Sequence, residues 1–373
     1  MARAVVIGAG IGGLTAGVAL EAKGWEVTVL EQAASVEPVG AGLAVAPNAL
    51  KALDVIGAGD DVRKLSAIQG DAGIRRASGR WLSRTSAEAA TARYGDPTVL
   101  LLRSTLVDIL AGRLSPGALR VNTRAEAADP GTGRVTTAEG TLEGDLVVAA
   151  DGIRSAVRKA LFPGHPDPVY AGVTSWRLVA PAPGPLSASE TWGPGLVFGV
   201  MPLAGGQVYC YATATVPAGE RAASEKDELI RLFGGWHEPI PALLASADPA
   251  AVLRHDINCL DEPLPAFHQG RIALLGDAAH AMTPNLGQGA CQAIEDAVVL
   301  AEVAGTPGGL AAYSAARTAR TRPIVRRSRA IGRLTRWRNP VAVAARDGLM
   351  AAAGGLGPNV TLRQFDDVFN WPG

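Results

Sequence analysis

Three short stretches of this chain place glycine beside a single acid at the end of an apolar run. The first is Gly8-Ala-Gly10-Ile-Gly-Gly13, which follows Val5-Val6-Ile7 and is answered at the end of the next run, "WEVTVL", by Glu31. The second is Asp151-Gly152, after "LVVAA" at 146–150. The third is Gly276-Asp277, after "RIALL" at 271–275, which leads through Pro284 and Leu286 to Gly287-Gln-Gly289. In the first stretch Gly8 can make a tight turn, Gly10 can let backbone approach a pyrophosphate, and Gly13 can let a helix pack closely on a strand. A helix N-terminus there offers N–H groups and partial positive charge to phosphates. Glu31, about 20 residues on, can accept hydrogen bonds from a ribose diol. This is chemistry for a dinucleotide, and on this stretch alone FAD and NAD both remain open.

The third stretch narrows the choice. Asp277 stands at the carboxyl end of a predicted buried strand, where ligands lie in open parallel sheets, and it can hold a polyol or ribose hydroxyl. Gly287 and Gly289 expose backbone N–H groups at the start of a helix predicted from about Gln288 to Ala304. A reduced flavin carries negative charge on its pyrimidine side, and a helix N-terminus aimed there stabilises that charge without a cationic side chain. FAD is therefore favoured. With no Cys or His in a tethering motif, it is expected to be non-covalent.

To position these residues the chain must supply parallel strands, with helices between them. The runs at 5–7, 25–30, 146–150 and 271–275 read as those strands, and the first two enclose a helix reaching about Lys23. The bulk properties agree with a small-molecule enzyme. The 373 residues suggest two domains. Lys plus Arg and Asp plus Glu both number 35, which argues against a nucleic-acid partner. Cys210, Cys259 and Cys291 show no paired spacing, so neither a metal site nor a disulfide framework is expected, and a reducing cytoplasm suits them. Ala4 to Leu20 carries no charge but is cut by glycines, and reads as a strand and turn rather than a signal peptide. No apolar run is long enough to span a membrane. The expectation is a soluble protein, monomer or homodimer.

The three motifs in this order resemble the class A flavoprotein monooxygenases, the family of para-hydroxybenzoate hydroxylase, over residues 1 to about 330. "AADGIRSAVR" at 149–158 is similar to the family's DG motif and "LLGDAAHAMTPNLGQGACQAIEDA" at 274–297 to its GD motif. Arg103 falls where the family has an arginine reaching FAD, and "GAGLAVAPNAL" at 40–50, with Gly42, resembles the segment beside the flavin ring. The resemblance implies an α/β fold in which a GxGxxG FAD domain carries an inserted antiparallel-sheet substrate domain and C-terminal helices. It implies that NADH or NADPH reduces FAD, that O2 adds to the reduced flavin, and that a flavin hydroperoxide delivers one oxygen atom to an electron-rich, aromatic small molecule. Epoxidation of an isoprenoid or polyketide double bond, or a flavin oxidase or dehydrogenase, is the alternative. Asp151 and Gly152 would touch FAD and the nicotinamide donor, with Arg154 and Arg158 as anion contacts; the other reading has Asp151 capping a helix.

The motifs divide the chain into a discontinuous FAD-binding domain at 1–70, 98–169 and 263–330, a substrate domain at 71–97 and 170–262, and a helical tail at 331–373. "VTSWRLVA", "GLVFGVMPL" and "QVYCYATATV" read as an antiparallel sheet over the flavin. Arg177, Tyr209 and Tyr211 are the catalytic candidates, and Trp176, Phe198, Met201 and Asn285 the substrate-pocket candidates. The two tyrosines stand two apart and share a face. His280 reads as a packing residue. Relatives acting on urate would be expected to carry an acid and an arginine where this chain has Asn285 and Val197, which argues against urate. Nine arginines and no acids lie between Tyr313 and Arg338, with Arg322, Arg326, Arg329, Arg333 and Arg336 at helical spacing. This stripe reads as a solvated face neutralised by neighbouring acids, although such a face could also hold an anionic lipid or a donor phosphate.

Overall fold

The computed structural model describes residues 1–36 and 41–371, so Gly40 of the 40–50 segment lies outside the described residues. Val5, Val6, Val147, Val148 and Ala273 have no polar side chain on either side of their strands and are buried accordingly. They form the middle of a six-stranded sheet, whose order is His268–Gln269, Ile272–Leu274, Leu146–Ala149, Arg3–Ile7, Glu26–Leu30, Leu119–Arg120. The inner strands are parallel, and only the His268–Gln269 edge runs antiparallel. The register pairs Ile7 with Ala149 and Ala149 with Leu274. All three glycine-and-acid motifs therefore leave the sheet at one edge, in line.

Helix Ile11–Ala22 packs on this sheet, and helix Gly289–Val303 packs on Ile11–Ala22. The second begins one residue later than the sequence predicts, with Gln288 as its N-cap.

A seven-stranded sheet forms the other half of the molecule. Its order is Leu253–Cys259, Val169–Pro181, Gln207–Ala214, Leu196–Leu203, Ala188–Trp192, Asp71–Arg76, Trp81–Ser86. It is antiparallel apart from one parallel pairing, Ala188–Trp192 on Asp71–Arg76, which joins the 71–97 stretch to the 170–262 stretch. One face of this sheet buries Trp176, Leu178, Phe198, Val200 and Cys210 against helices Glu225–Phe233 and Ile240–Ser246. The opposite face looks onto a cavity. Helices Pro340–Gly354 and Pro358–Arg363 close that cavity from the far side, and Gly354 lies so near the sheet that an added Cβ would sit 2.6 Å from the Leu82 carbonyl oxygen.

The arginine-rich segment is a single helix, Gly309–Thr335. It is not simply a solvated face neutralised by acids. Arg317 is buried against Glu295 and Asp296. Of the five arginines at helical spacing, Arg329 pairs with Asp261, while Arg322 and Arg336 donate to the carbonyls of Leu264 and Ala171.

Candidate active site

The first turn is built as tightly as its glycines allow. Gly8 has φ +102°, and a Cβ there would lie 2.5 Å from the Ala150 carbonyl oxygen. A Cβ on Gly13 would lie 1.9 Å from the Gly8 oxygen. Gly10 is different: a Cβ there would meet only the Arg103 Nη2 at 3.8 Å, so its backbone is open toward the cavity. Glu31 braces the turn, with Oε2 accepting from the Ala9 N–H at 3.0 Å and Oε1 from the Ala33 N–H at 2.9 Å. Gly10, Gly13, Arg103 and Gly152 line the cavity, whereas Gly8, Glu31 and Asp151 stand behind them. Asp151 Oδ2 accepts from the Val157 N–H at 3.3 Å, but the cap of the following helix is Ser155, whose hydroxyl accepts from the Arg158 N–H, and among the described residues Asp151 Oδ1 is buried without a partner. Arg158 is not free for an anion. It is buried, and it donates to the carbonyls of Ala278 at 3.1 Å and Ile153 at 2.6 Å, tying the second motif to the third. Arg154 is exposed.

The third motif rests on a buried polar network. Gly276 has φ +61°, which favours glycine, and its N–H donates to Asp296 Oδ2 at 2.9 Å. His280 Nε2 meets the same oxygen at 2.6 Å, and Arg317 Nε donates to Oδ1 at 2.5 Å. Arg317 also donates to Glu295 Oε2 at 2.7 Å, and Asn48 to Glu295 Oε1 at 2.7 Å. His280, buried against Phe267 at 5.6 Å between ring centroids, holds structure. Asp277, fixed by this base, is enclosed by the fold yet opens on the cavity, and its carboxylate accepts no hydrogen bond from another described residue. Burial pushes its carboxyl up, against the pull of His280, Arg103 and Arg158. Pro284, Asn285, Leu286, Gly287 and Gly289 follow it along the cavity wall. A Cβ on Gly289 would touch nothing within 4 Å, so the helix N-terminus there faces open space.

The sheet wall is decided by register. Arg177 pairs with Tyr211 and Val179 with Tyr209, while Gly199 and Met201 stand opposite Tyr211 and Tyr209 on the next strand. Arg177, Tyr209, Tyr211, Met201 and Val197 line the cavity. Trp176 and Phe198 do not. Each is one residue out of step and belongs to the opposite face, where the Trp176 indole donates to Glu225 at 2.7 Å and Phe198 packs edge-on against Phe233 at 5.3 Å. Tyr209 lies over Gly42, where an added Cβ would come 2.4 Å from its ring, and burial pushes its phenol up to about 12.

Sequence reasoning missed Glu190. It lines the cavity with its Oε1 accepting from the Tyr211 hydroxyl and its Oε2 from the Trp192 indole, both at 2.7 Å, and burial raises its carboxyl. It also missed the tail, where Leu349, Met350, Ala353, Leu362 and Phe365 contribute to the same wall. The cavity holds about 1320 Å³.

Those residues fit a flavin dinucleotide. An open glycine turn, a carboxylate without a donor and an open helix N-terminus all converge on one hollow, with an orphaned Asp151 oxygen just behind its wall.

The family described as FAD binding domain matches residues 1–328. The chain is 41% identical over 359 residues to an aurachin C monooxygenase/isomerase of Stigmatella aurantiaca, covering 93% of each. It is 33% identical over 375 residues to a 2-heptyl-3-hydroxy-4(1H)-quinolone synthase of Pseudomonas aeruginosa, covering 96% of this chain and 95% of the relative. Among solved structures it resembles Klebsiella pneumoniae HpxO complexed with FAD and uric acid, with a TM-score of 0.91, 29% identity and coverage of 99% of this chain and 96% of the other.

Proposed function

Because this chain belongs to the FAD-dependent monooxygenases of the FAD binding domain family, we propose that it inserts one oxygen atom from O2 into an electron-rich aromatic small molecule, using NADH or NADPH as electron donor. The observation that carries the reading is one cavity with two unlike walls: glycine-rich strand ends on one side, and Arg177, Tyr209 and Tyr211 on the other. Gly8, Gly10, Gly13 and Glu31 shape the pyrophosphate and ribose end of the cofactor site. Arg103, Asp151 and Gly152 flank it, Asp277 receives the ribityl hydroxyls, and Gly42 with the 284–289 loop borders the ring.

When bound, FAD supplies the redox chemistry and oxygen activation, and the polypeptide supplies binding, orientation and electrostatics. The N-terminal N–H groups of helix Gly289–Val303, open to the cavity, would stabilise negative charge on the pyrimidine edge of a bound flavin. Arg177 sets a positive charge beside the Tyr209 phenol. Helix Pro340–Gly354 and the segment after it wall the remaining side and restrict the access of water. The working unit in this reading is a monomer or homodimer in the cytoplasm.

The test begins with pigment. The purified protein is expected to be yellow and to release FAD on denaturation; pigment that stays with the precipitated chain, or none at all, contradicts non-covalent binding. NAD(P)H oxidation is then screened with phenols, quinolones and polyketide aromatics, the quinolones being suggested by the relative named for a heptyl-hydroxyquinolone. Stimulated oxidation with an oxygenated product supports the reading, and flavin reduction by a substrate in the absence of NAD(P)H replaces it with an oxidase or dehydrogenase.

Tyr209→Phe provides a narrower check. It keeps the ring over Gly42 and removes only the hydroxyl, so FAD content is expected to stay constant while product formed per NAD(P)H falls severalfold. Unchanged coupling would make Tyr209 a packing residue.

A further inference from the structure

We propose that Glu190 and the apolar floor beyond it select the substrate: a flat aromatic ring presenting an N–H or O–H at one edge and carrying an extended hydrocarbon chain. The proposal rests on the monooxygenase reading and gives it a substrate class.

Glu190, Gly199 and Tyr211 stand in one row across three adjacent strands. The missing side chain at position 199 is what makes the row work. A Cβ there would lie 2.2 Å from the Tyr211 ring, so the ring lies across Gly199 and its hydroxyl reaches Glu190. Trp192 fixes the other carboxylate oxygen. An ionised carboxylate accepts at about four lone-pair positions, and these two donors fill about half of them. No lysine, arginine or histidine lies within salt-bridge distance of Glu190 among the described residues. An enclosed acceptor of this kind, held by neutral donors alone, is set to receive a further donor from a ligand. Tyr209, Tyr211 and Trp192 supply flat surfaces beside it.

Past Glu190 the floor changes character. Glu190 pairs with Ile74, and Ala188 with Ala72. Ile74 then pairs with Ser83 on the outermost strand. Leu349, Met350 and Ala353 form the roof, and Leu362 and Phe365 the end, with Ser83, Thr85, Ser189, Arg346, Thr361 and Gln364 as polar members of the lining. From the Glu190 strand to the Trp81–Ser86 strand is two strand spacings, about 10 Å at roughly 4.8 Å each. That length of mainly apolar floor suits a hydrocarbon chain running away from the ring. Leu349, which remains 74% exposed, marks where the channel meets the surface.

The test is a binding titration of the yellow holoprotein, without NAD(P)H, followed through the flavin absorbance. The probes are 4(1H)-quinolone, its 2-heptyl derivative, and the N-methylated 2-heptyl compound. The heptyl compound is expected to bind at least tenfold tighter than the chainless ring. Glu190→Gln is expected to weaken the N–H heptyl compound about tenfold and to leave the N-methyl compound unchanged, a coupling that a merely structural glutamate would not produce. The amide keeps the shape, and the Tyr211 hydroxyl can turn to accept from it. Ala353→Phe lowers the roof over the apolar floor and is expected to weaken the heptyl compound but not the chainless one. Equal weakening of N–H and N-methyl ligands by Glu190→Gln, or no gain from the chain, overturns the proposal. If none of the three perturbs the flavin while another aromatic is oxygenated with good coupling, the substrate class is wrong and the monooxygenase reading stands.

Discussion

Replacing Arg317 by methionine is expected to destabilise the protein by about 3–5 kcal/mol, the cost typical of removing one partner from a buried ion pair. Arg317 is 2% exposed and donates to Asp296, to Glu295 and to the Gln292 side chain. Methionine fills most of the space but leaves Asp296 without its arginine, and Glu295 with Arg320 as its remaining cation. The effect also has a sign in pH. Burial alone would raise the Asp296 carboxyl, but His280 and Arg317 overcome it and hold it at about 2, below its ordinary 3.8. A group depressed in the folded state contributes stability that is present above its unfolded pKa and is lost as pH falls through the folded one. The wild type should therefore lose this contribution between roughly pH 4 and pH 2, and Arg317→Met should show a smaller loss across that window because Asp296 titrates higher. Urea unfolding of the holoprotein at pH 7 and at pH 3 measures both. A variant within 1 kcal/mol of wild type at pH 7 would sink the claim. Flavin retention should fall as well, since Asp296 holds the Gly276 N–H that sets the third motif.

That network shows where sequence reading reaches and where it stops. The strand ends were legible because each is a short apolar run cut by glycine and an acid, and such local patterns need no partner to be interpreted. Arg317 was visible only as one of nine arginines. Its burial depends on Glu295 and Asp296, 22 and 21 residues earlier, turning the inner side of another helix toward it. The sheet wall failed for a different reason. Alternation tells that Trp176 and Arg177 point to opposite sides, so both could not line one pocket, but it does not tell which side holds the pocket. Here both faces are covered, one by the helices carrying Phe233 and Leu243 and the other by the cavity, and aromatic residues occur on each. Glu190 was overlooked because its strand is bounded on one side by Asp71–Arg76, more than a hundred residues away, in a parallel pairing that nothing near Glu190 announces. The tail helices carry small residues such as Ala345, Ala353 and Gly354, whose value is the room they leave.

Asp277→Ala should separate holding the cofactor from holding the fold. If the carboxylate receives ribityl hydroxyls, losing hydrogen bonds to a charged group costs about 1.5–3 kcal/mol, or roughly 10- to 150-fold in FAD affinity. The fold itself should not suffer. Asp277 makes no hydrogen bond to a described side chain, and in the empty protein its side chain is exposed to the cavity, so the fold does not depend on its carboxylate. Removing it should leave the apoprotein as stable as wild type or slightly more so, as happens where a site residue trades stability for binding. The neighbouring charges sharpen the contrast: Arg103 and Arg158 lose an attractive partner in the variant, yet Arg158 stays anchored by two backbone carbonyls, so the link between the second and third motifs survives. The two measurements are FAD dissociation, followed by flavin fluorescence, and thermal unfolding of the apoprotein. Weaker FAD with unimpaired unfolding supports the assignment. Unchanged FAD affinity in a folded variant removes Asp277 from the site, and a destabilised apoprotein would make the carboxylate a structural group whose partner lies within the chain.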